Sequence, residues 1–295
     1  MSGFVTNEGK QEYINSYHEA MSYLPQPVES KMLNTDFGKV KLYKFQEEET
    51  PPDKTPLLLL PGKGSATPMW EANLNDFLKH RPVYTIDLIG EPGLSIETKR
   101  IKTNMDQAIW LKQVLEQLPE EEINLLGLSF GGWSAANLAI KHPEKIQTLI
   151  LVEPVYVFGP IPLKMILVSI PASVPAVPKS IRERMLSYIS GGAKIDESEP
   201  AAKLIETGMR TFKSKLPMPE KVKTEHLKKL KMPVLGILAG QSTMHHSEKS
   251  FQIGLENLRN PYSNMVIFED ASHAINGEYP EKLLQTIEDF LKHIE

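Results

Sequence analysis

Cysteine is absent from this chain of 295 residues. Without thiols the protein can form no disulfide, thiolate metal site or iron–sulfur cluster, and it has no cysteine nucleophile. Excess positive charge is absent too, since 33 lysine and arginine residues stand against 37 aspartate and glutamate residues, which gives a formal net charge of −4. A chain of this charge is not drawn to the phosphates of nucleic acids or to anionic lipids. We therefore expect no nucleic-acid partner.

Uninterrupted hydrophobic runs are also missing. The longest apolar stretch, Val155–Pro178, is broken by several prolines and a lysine, whereas a spanning helix needs about 20 apolar residues with few breaks. The polar N-terminus has no apolar signal core. The composition, 41% hydrophobic and 24% charged, is that of a globular protein. We expect a soluble, cytoplasmic protein without a membrane span.

Short apolar runs that end in glycine or in an acidic residue recur along the chain, which is typical of strands buried on both faces. They are Leu57–Leu60, Val83–Ile86, Ile123–Leu126, Thr148–Val152, Val234–Leu238 and Met265–Phe268. Helical patterns separate most of them, at Met69–Lys79, Met105–Leu118, Trp133–Lys141, Ser247–Leu258 and Glu281–Ile294. This alternation predicts an α/β protein with a parallel sheet and helices on both faces.

Two further segments complete the predicted organisation. Alternation over Ser30–Phe45 indicates a hairpin. About 80 residues separate Val152 from Val234, although a crossover between parallel strands needs only about a dozen. We interpret the surplus as an inserted cap that roofs the crevice at the carboxyl ends of the strands. The predicted parts are a helical or loose N-terminal arm (1–25), a core (26–153), the cap (154–230) and the rest of the core (231–295).

Residues 127–131 read Gly-Leu-Ser-Phe-Gly, a G-x-S-x-G motif between a predicted strand and a predicted helix. A nucleophile elbow requires this setting, because flanking side chains would collide with the neighbouring strand and helix. Ser129 is therefore the candidate nucleophile. The alternative is an ordinary loop whose serine caps the helix.

A serine hydroxyl needs a base, and His273 is the best placed of the eight histidines because it follows the last predicted strand. The pair His245 and His246 makes a poor metal site, since adjacent side chains point apart. Acyl transfer also needs backbone N–H donors for the oxyanion. Phe130, directly after the serine, and Lys63, in the glycine-rich turn after Leu57–Leu60, are the candidates.

With these motifs the chain resembles the α/β-hydrolase superfamily, and more narrowly its carboxylesterase-like serine hydrolases with a helical cap. The matching segments are Pro61–Trp70, Ile86–Ser95, Gly127–Ser134, Leu149–Val155 and Phe268–Leu291. The resemblance implies an eight-stranded, mostly parallel sheet with a cap inserted after strand 6. It also implies a Ser–acid–His triad with Ser129 as nucleophile, His273 as base, and Lys63 and Phe130 as oxyanion donors.

The acid of the triad departs from the usual family pattern. That pattern places a carboxylate after the strand Val234–Leu238, where this chain has Gly240-Gln-Ser-Thr243. A second position known in the family, at the end of the preceding strand, holds Glu153, and we favour it as the group that orients His273. Asp270 is a further candidate, and the absence of any acid is the remaining alternative.

Cap residues Met165, Ile166, Leu167 and Ile170 are predicted either to line an acyl pocket or to pack the cap on the core. The leading functional hypothesis is a serine esterase that acts on a small to medium hydrophobic substrate through an acyl-enzyme, without a metal or an organic cofactor. The alternatives are hydrolysis of a C–C or amide bond by the same residues, or a catalytically weak or non-enzymatic ligand-binding relative. The partner is a small-molecule acyl substrate, and the sequence leaves the oligomeric state open.

Overall fold

The computed structural model describes residues 1–169, 177–189 and 199–295. The candidate pocket residue Ile170 lies outside these ranges, as does the side chain of Leu167. The strands are β1 (Gly3–Phe4), β2 (Glu29–Thr35), β3 (Gly38–Phe45), β4 (Leu57–Leu60), β5 (Val83–Ile86), β6 (Ile96–Glu97), β7 (Ile123–Leu128), β8 (Ile146–Val152), β9 (Phe212–Lys213), β10 (Val234–Ala239) and β11 (Asn264–Phe268).

The helices are α1 (Asn7–Met21), α2 (Glu71–Leu78), α3 (Asn104–Glu116), α4 (Phe130–Lys141), α5 (Leu163–Ser169), α6 (Lys179–Ile189), α7 (Pro200–Thr211), α8 (Thr224–Leu227), α9 (Ser247–Asn257), α10 (Ile275–Glu278) and α11 (Pro280–Lys292). A short 3-10 helix, Thr67–Trp70, precedes α2. No helix within the described ranges is long and apolar enough to cross a membrane.

The central sheet follows the order β11-β10-β8-β7-β4-β5-β3-β2. Neighbours from β11 to β5 are parallel, whereas β3 runs antiparallel to both β5 and β2. The two-residue strand β6 adds a short pairing with β3 outside this path, so the central sheet of the described residues has nine strands rather than the eight expected. The predicted α/β fold with a mostly parallel sheet is confirmed, and so is the hairpin at its edge.

Hydrophobic side chains fill both faces of the sheet. One face is covered by α3 and α4, whose Trp110 and Trp133 are buried. The opposite face is covered by α2 and α11, through side chains such as Phe77 and Ile287. The strands between these layers are buried on both sides, which explains why β4 reads Leu-Leu-Leu-Leu with no polar position.

The N-terminal segment contains the helix α1, which packs against α7 in the segment that follows β8. Tyr13 and Tyr17 on α1 are fully buried, and β1 pairs antiparallel with β9. Glu12 on α1 forms an ion pair with Arg210, and Glu19 forms one with Lys203, both on α7. Of the two alternatives left by the sequence, a helical arm and a loose end, the structure has the helix.

Candidate active site

Ser129 lies at the sharp turn between β7 and α4, at the carboxyl end of the central strand. Its backbone φ is 55° and its ψ is −115°, a strained combination for a residue with a side chain. The flanking glycines make this turn possible. A Cβ atom at Gly127 would come within 2.3 Å of the Gly131 carbonyl oxygen, and one at Gly131 within 2.2 Å of the Leu60 carbonyl oxygen. The motif residues are therefore dictated by close backbone packing.

His273 lies in the loop between β11 and α10, and its Nε2 atom is 2.9 Å from the Ser129 hydroxyl oxygen. Both residues are buried. The loop is held by Glu278, whose carboxylate accepts hydrogen bonds from the backbone N–H and the hydroxyl of Ser272. The structure thus brings the predicted nucleophile and the predicted base together across 144 residues of sequence.

Glu153 follows β8 directly and has a positive φ of 47°. Its side chain is fully buried, and its Oε2 atom is 2.9 Å from Nδ1 of His273. The Ser242 hydroxyl donates a 2.6 Å hydrogen bond to the same oxygen. The backbone N–H of Ala239 donates a 2.6 Å hydrogen bond to Oε1, and Nε2 of His245 lies 2.7 Å from Oε1. Four groups therefore surround one carboxylate.

These neighbours decide the charge of Glu153. Burial raises the pKa of the carboxyl group, but hydrogen bonds and electrostatic attraction from His245 and His273 outweigh it and lower the pKa to about 2. An ionised carboxylate can only accept hydrogen bonds. His273 must then carry a proton on Nδ1, which leaves Nε2 free to accept the hydrogen bond that the Ser129 hydroxyl donates.

The other acid candidate, Asp270, is exposed at the end of β11. Within the described part of the chain, the carboxylate that hydrogen-bonds to His273 belongs to Glu153. The loop after β10, where the family pattern has its acid, contributes Ser242 and His245 instead, and both contact Glu153.

The two candidate oxyanion donors lie on neighbouring loops, because β4 and β7 are adjacent in the sheet. Phe130 is the first residue of α4, and Lys63 lies in the turn after β4. Gly62 in this turn is close to the nucleophile, since a Cβ atom there would be 3.6 Å from Cβ of Ser129. Among the described residues, none accepts a hydrogen bond from the backbone N–H of Lys63 or Phe130.

A buried carboxylate fixes the turn that contains Lys63. Oε2 of Glu91 accepts a 2.8 Å hydrogen bond from the backbone N–H of Gly64, and Oε1 lies 3.2 Å from Nζ of Lys63. The Ser214 hydroxyl also donates to Oε1 of Glu91. Sequence reasoning missed Glu91, whose position in a loop after β5 carries no distinguishing pattern.

Met165 and Ile166, predicted to line an acyl pocket or to pack the cap, lie on α5. Met165 is 2% exposed and Ile166 is partly buried. The described residues include no group of three or more histidine, aspartate and glutamate side chains that could hold a metal ion. The two histidines at Glu153 contact different oxygens of the carboxylate, so they do not converge on one point.

His245 and Ser242 are two further residues of this site that sequence reasoning did not identify. In the sequence, His245 stands out only as one of two adjacent histidines, a pattern that bears on metal binding. The available signal was topological, because β10 lies next to β8 in a parallel sheet. A carboxylate at the end of β8 needs hydrogen-bond donors, and the loop after β10 is the nearest source of them.

Comparisons with known proteins agree with this architecture. A family model for the α/β hydrolase fold matches residues 55–177. The carboxylesterase YbfK of Bacillus subtilis is 24% identical over 98% of this chain and 96% of its own length. An uncharacterized carboxylesterase of the same organism, nap, is 30% identical over 50% of this chain and 48% of its own. The crystal structure of naproxen esterase from Bacillus subtilis superposes with a TM-score of 0.86, at 21% identity, over 97% of this chain and 99% of that one.

The order of the strands, the elbow at Ser129 and the family match therefore lead to one conclusion, which the motifs of the sequence predicted. The chain has the α/β-hydrolase fold.

Proposed function

We propose that this protein is a carboxylic ester hydrolase with Ser129 as nucleophile, His273 as base and Glu153 as the acid that orients the base. The observation that carries the proposal is the continuous hydrogen-bond chain Ser129–His273–Glu153, with a separation of 2.9 Å at each link. Similarity to the carboxylesterase YbfK along nearly the whole chain supports an ester as the bond cleaved.

In the first half of the reaction, Oγ of Ser129 attacks the ester carbonyl carbon while Nε2 of His273 takes the hydroxyl proton. The resulting imidazolium is stabilised by the Glu153 carboxylate, whose lowered pKa keeps it ionised. The negative charge that develops on the carbonyl oxygen is stabilised by hydrogen bonds from the backbone N–H groups of Lys63 and Phe130.

In the second half, Nε2 of His273 gives its proton to the departing alkoxide, and the alcohol leaves. The acyl group remains bonded to Oγ of Ser129. A water molecule then gives a proton to Nε2 and attacks the acyl carbon, and His273 returns that proton to Oγ as the acid product is released. The serine and histidine end in their starting protonation states, so no cofactor is consumed.

The substrate is proposed to be a small to medium hydrophobic ester, bound beneath a cap formed by residues 154–230. Support comes from the composition of the segment after β8, where the buried side chains include Val155, Val157, Phe158 and Met165. An apolar acyl group would gain free energy from burial there in proportion to its area.

A fluorophosphonate probe tests the proposal, because it reacts only with an activated serine. We expect the wild-type protein to be labelled and to hydrolyse p-nitrophenyl esters, and Ser129→Ala to do neither. Ser134→Ala is the matched control, since this serine is buried one helical turn away on α4 and bonds no described side chain. Labelling of Ser129→Ala, or ester hydrolysis by it at the wild-type rate, would overturn the assignment of the nucleophile.

The two alternatives are separated by substrate panels. The missing carboxylate near Thr243 is the reason to consider a non-enzymatic relative, and the contact between Glu153 and His273 argues against that alternative. Cleavage of an amide or C–C bond by the same residues is tested by comparing kcat/KM for matched ester, amide and diketone substrates. We expect the ester to be preferred.

A further inference from the structure

Two histidines contact the same buried carboxylate from opposite sides. His273 contacts Oε2 of Glu153, while His245, which is 6% exposed, contacts Oε1 at 2.7 Å. His245 has no place in the proposed Ser–His–Glu chain, because the carboxylate lies between it and His273. It is nevertheless closer to Glu153 than His273 is. A buried, titratable ring in this position requires an explanation.

The contact with Glu153 defines which ring nitrogen of His245 is the donor. The ionised Glu153 carboxylate can only accept a hydrogen bond, so Nε2 of His245 must carry a proton. The other nitrogen, Nδ1, is buried and has no hydrogen-bond partner among the described residues. The hydrogen bond that Nε2–H of His245 donates to Oε1 of Glu153 is therefore the polar contact that holds the ring among the described residues.

The position of the Glu153 carboxylate matters for the proposed reaction. When His273 takes the serine proton, it becomes an imidazolium that depends on the negative charge of Glu153. A donor at Oε1 holds the carboxylate in place, so that Oε2 stays within hydrogen-bond distance of Nδ1 of His273.

We propose that His245 is a positioning residue for the acid, which orients the Glu153 carboxylate through its Nε2–H donor so that Oε2 faces His273. The inference rests on the proposed function, since it assigns His245 to the machinery of that same site. Glu153, after β8, and His273, after β11, are the titratable groups in contact with this arrangement. The neighbouring His246 and Glu248 are exposed at the start of α9.

The chain offers a set of matched variants. His245→Gln keeps an N–H donor at about the distance of Nε2 but cannot titrate. His245→Leu keeps the bulk and removes the donor, and His245→Asn keeps an amide too short to reach Oε1. His246→Gln is the control, because it makes the same change at the exposed neighbour.

We expect His245→Leu to lower kcat for ester hydrolysis about tenfold with little change in KM, the usual effect of losing one hydrogen bond to a charged group. His245→Gln should recover most of that loss. The acid limb of the kcat/KM profile should move to higher pH in His245→Leu, by up to about one unit, because a less solvated carboxylate holds the His273 proton more strongly. In His245→Gln and His246→Gln the limb should stay near its wild-type position.

Wild-type kcat and an unchanged pH profile in His245→Leu would overturn the inference, and equal losses in His245→Leu and His245→Gln would exclude the donor as the cause. If His245→Leu does not fold, as judged by thermal unfolding, the comparison of His245→Gln with His245→Asn takes its place. Failure of the proposed function looks different, because the wild-type protein itself would then neither react with fluorophosphonate nor hydrolyse esters.

Discussion

Asp87 and Glu153 occupy comparable places in the molecule. Each follows a strand directly at the same edge of the sheet, β5 for Asp87 and β8 for Glu153. Neither residue is exposed to solvent. Each carboxylate contacts four hydrogen-bonding groups. Their pKa values nevertheless shift in opposite directions.

The partners explain the difference. Asp87 accepts hydrogen bonds from the backbone N–H groups of Thr67 and Leu94 and from the hydroxyls of Thr67 and Tyr17. None of these donors can become a cation, so burial prevails and raises the pKa of Asp87. Two of the four partners of Glu153 are histidines, which lower its pKa to about 2. Depth of burial alone therefore does not determine the direction in which the pKa of a carboxyl group shifts, whereas titratable partners can reverse it.

The contacts of Asp87 also indicate what it does. It joins Tyr17 on α1, Thr67 in the 3-10 helix and Leu94 in the loop after β5. These three segments are separate in sequence, and each of them donates a hydrogen bond to Asp87. Asp87 thus holds loop structure together, whereas Glu153 faces a histidine that contacts a serine.

The largest expected effect distinguishes the two acids by activity. Glu153→Gln should lower kcat for ester hydrolysis about 10³–10⁴-fold, the scale seen when the acid of a triad is replaced by its amide, because His273 then adopts the wrong tautomer. The measurement is kcat on a p-nitrophenyl ester, with circular dichroism to check that the fold is intact. Near wild-type activity in a folded Glu153→Gln protein would assign the acid role to another residue.

The second largest expected effect distinguishes Asp87 from Glu153 by the stability of the folded protein. Asp87→Ala should lower the free energy of unfolding by about 3 kcal/mol, because the backbone N–H groups of Thr67 and Leu94 lose their acceptor and the hydroxyls of Tyr17 and Thr67 each lose one partner. Activity per folded molecule should fall far less than in Glu153→Gln. Denaturant unfolding and active-site titration measure the two quantities separately, and Asp87→Asn, which keeps one acceptor oxygen, should be intermediate in stability. A variant of normal stability and abolished turnover would place Asp87 in the chemistry and end the contrast.

The sequence predicts the buried centre of the fold closely. The bounds of β4 and β5 match the predicted runs, because residues buried on both faces must all be apolar and the run ends where the chain leaves the sheet. Helix α4 begins at Phe130 rather than at the predicted Trp133. Gly131 and Gly132 weaken the helical pattern there, and they are present because the helix packs closely against β4 and β8. The strands β1, β6 and β9 have two residues each, too few to show a pattern.

The site is predictable where one residue is constrained by its own neighbours in sequence. Ser129 is such a residue, because the glycines on both sides of it in the sequence indicate the tight turn. His245 is not, since its role depends on the adjacency of β8 and β10, and that adjacency places Glu153 within reach of the loop after β10. No local pattern encodes such a contact. It becomes visible only when strand order is considered together with the requirement that a buried carboxylate be hydrogen-bonded.

The smallest expected effect concerns Asp270, the acid that lies nearest to His273 in sequence. Its side chain is exposed, and an exposed charge away from special features contributes within about 0.5 kcal/mol to stability. We expect Asp270→Asn to keep kcat within about twofold of the wild type, since surface charges act weakly through solvent, and to leave the pH profile unchanged. The same kinetic assay as for Glu153→Gln makes the two variants directly comparable. A loss of kcat in Asp270→Asn on the scale expected for Glu153→Gln would mean that proximity in sequence, rather than burial among titratable donors, identifies the acid that serves His273.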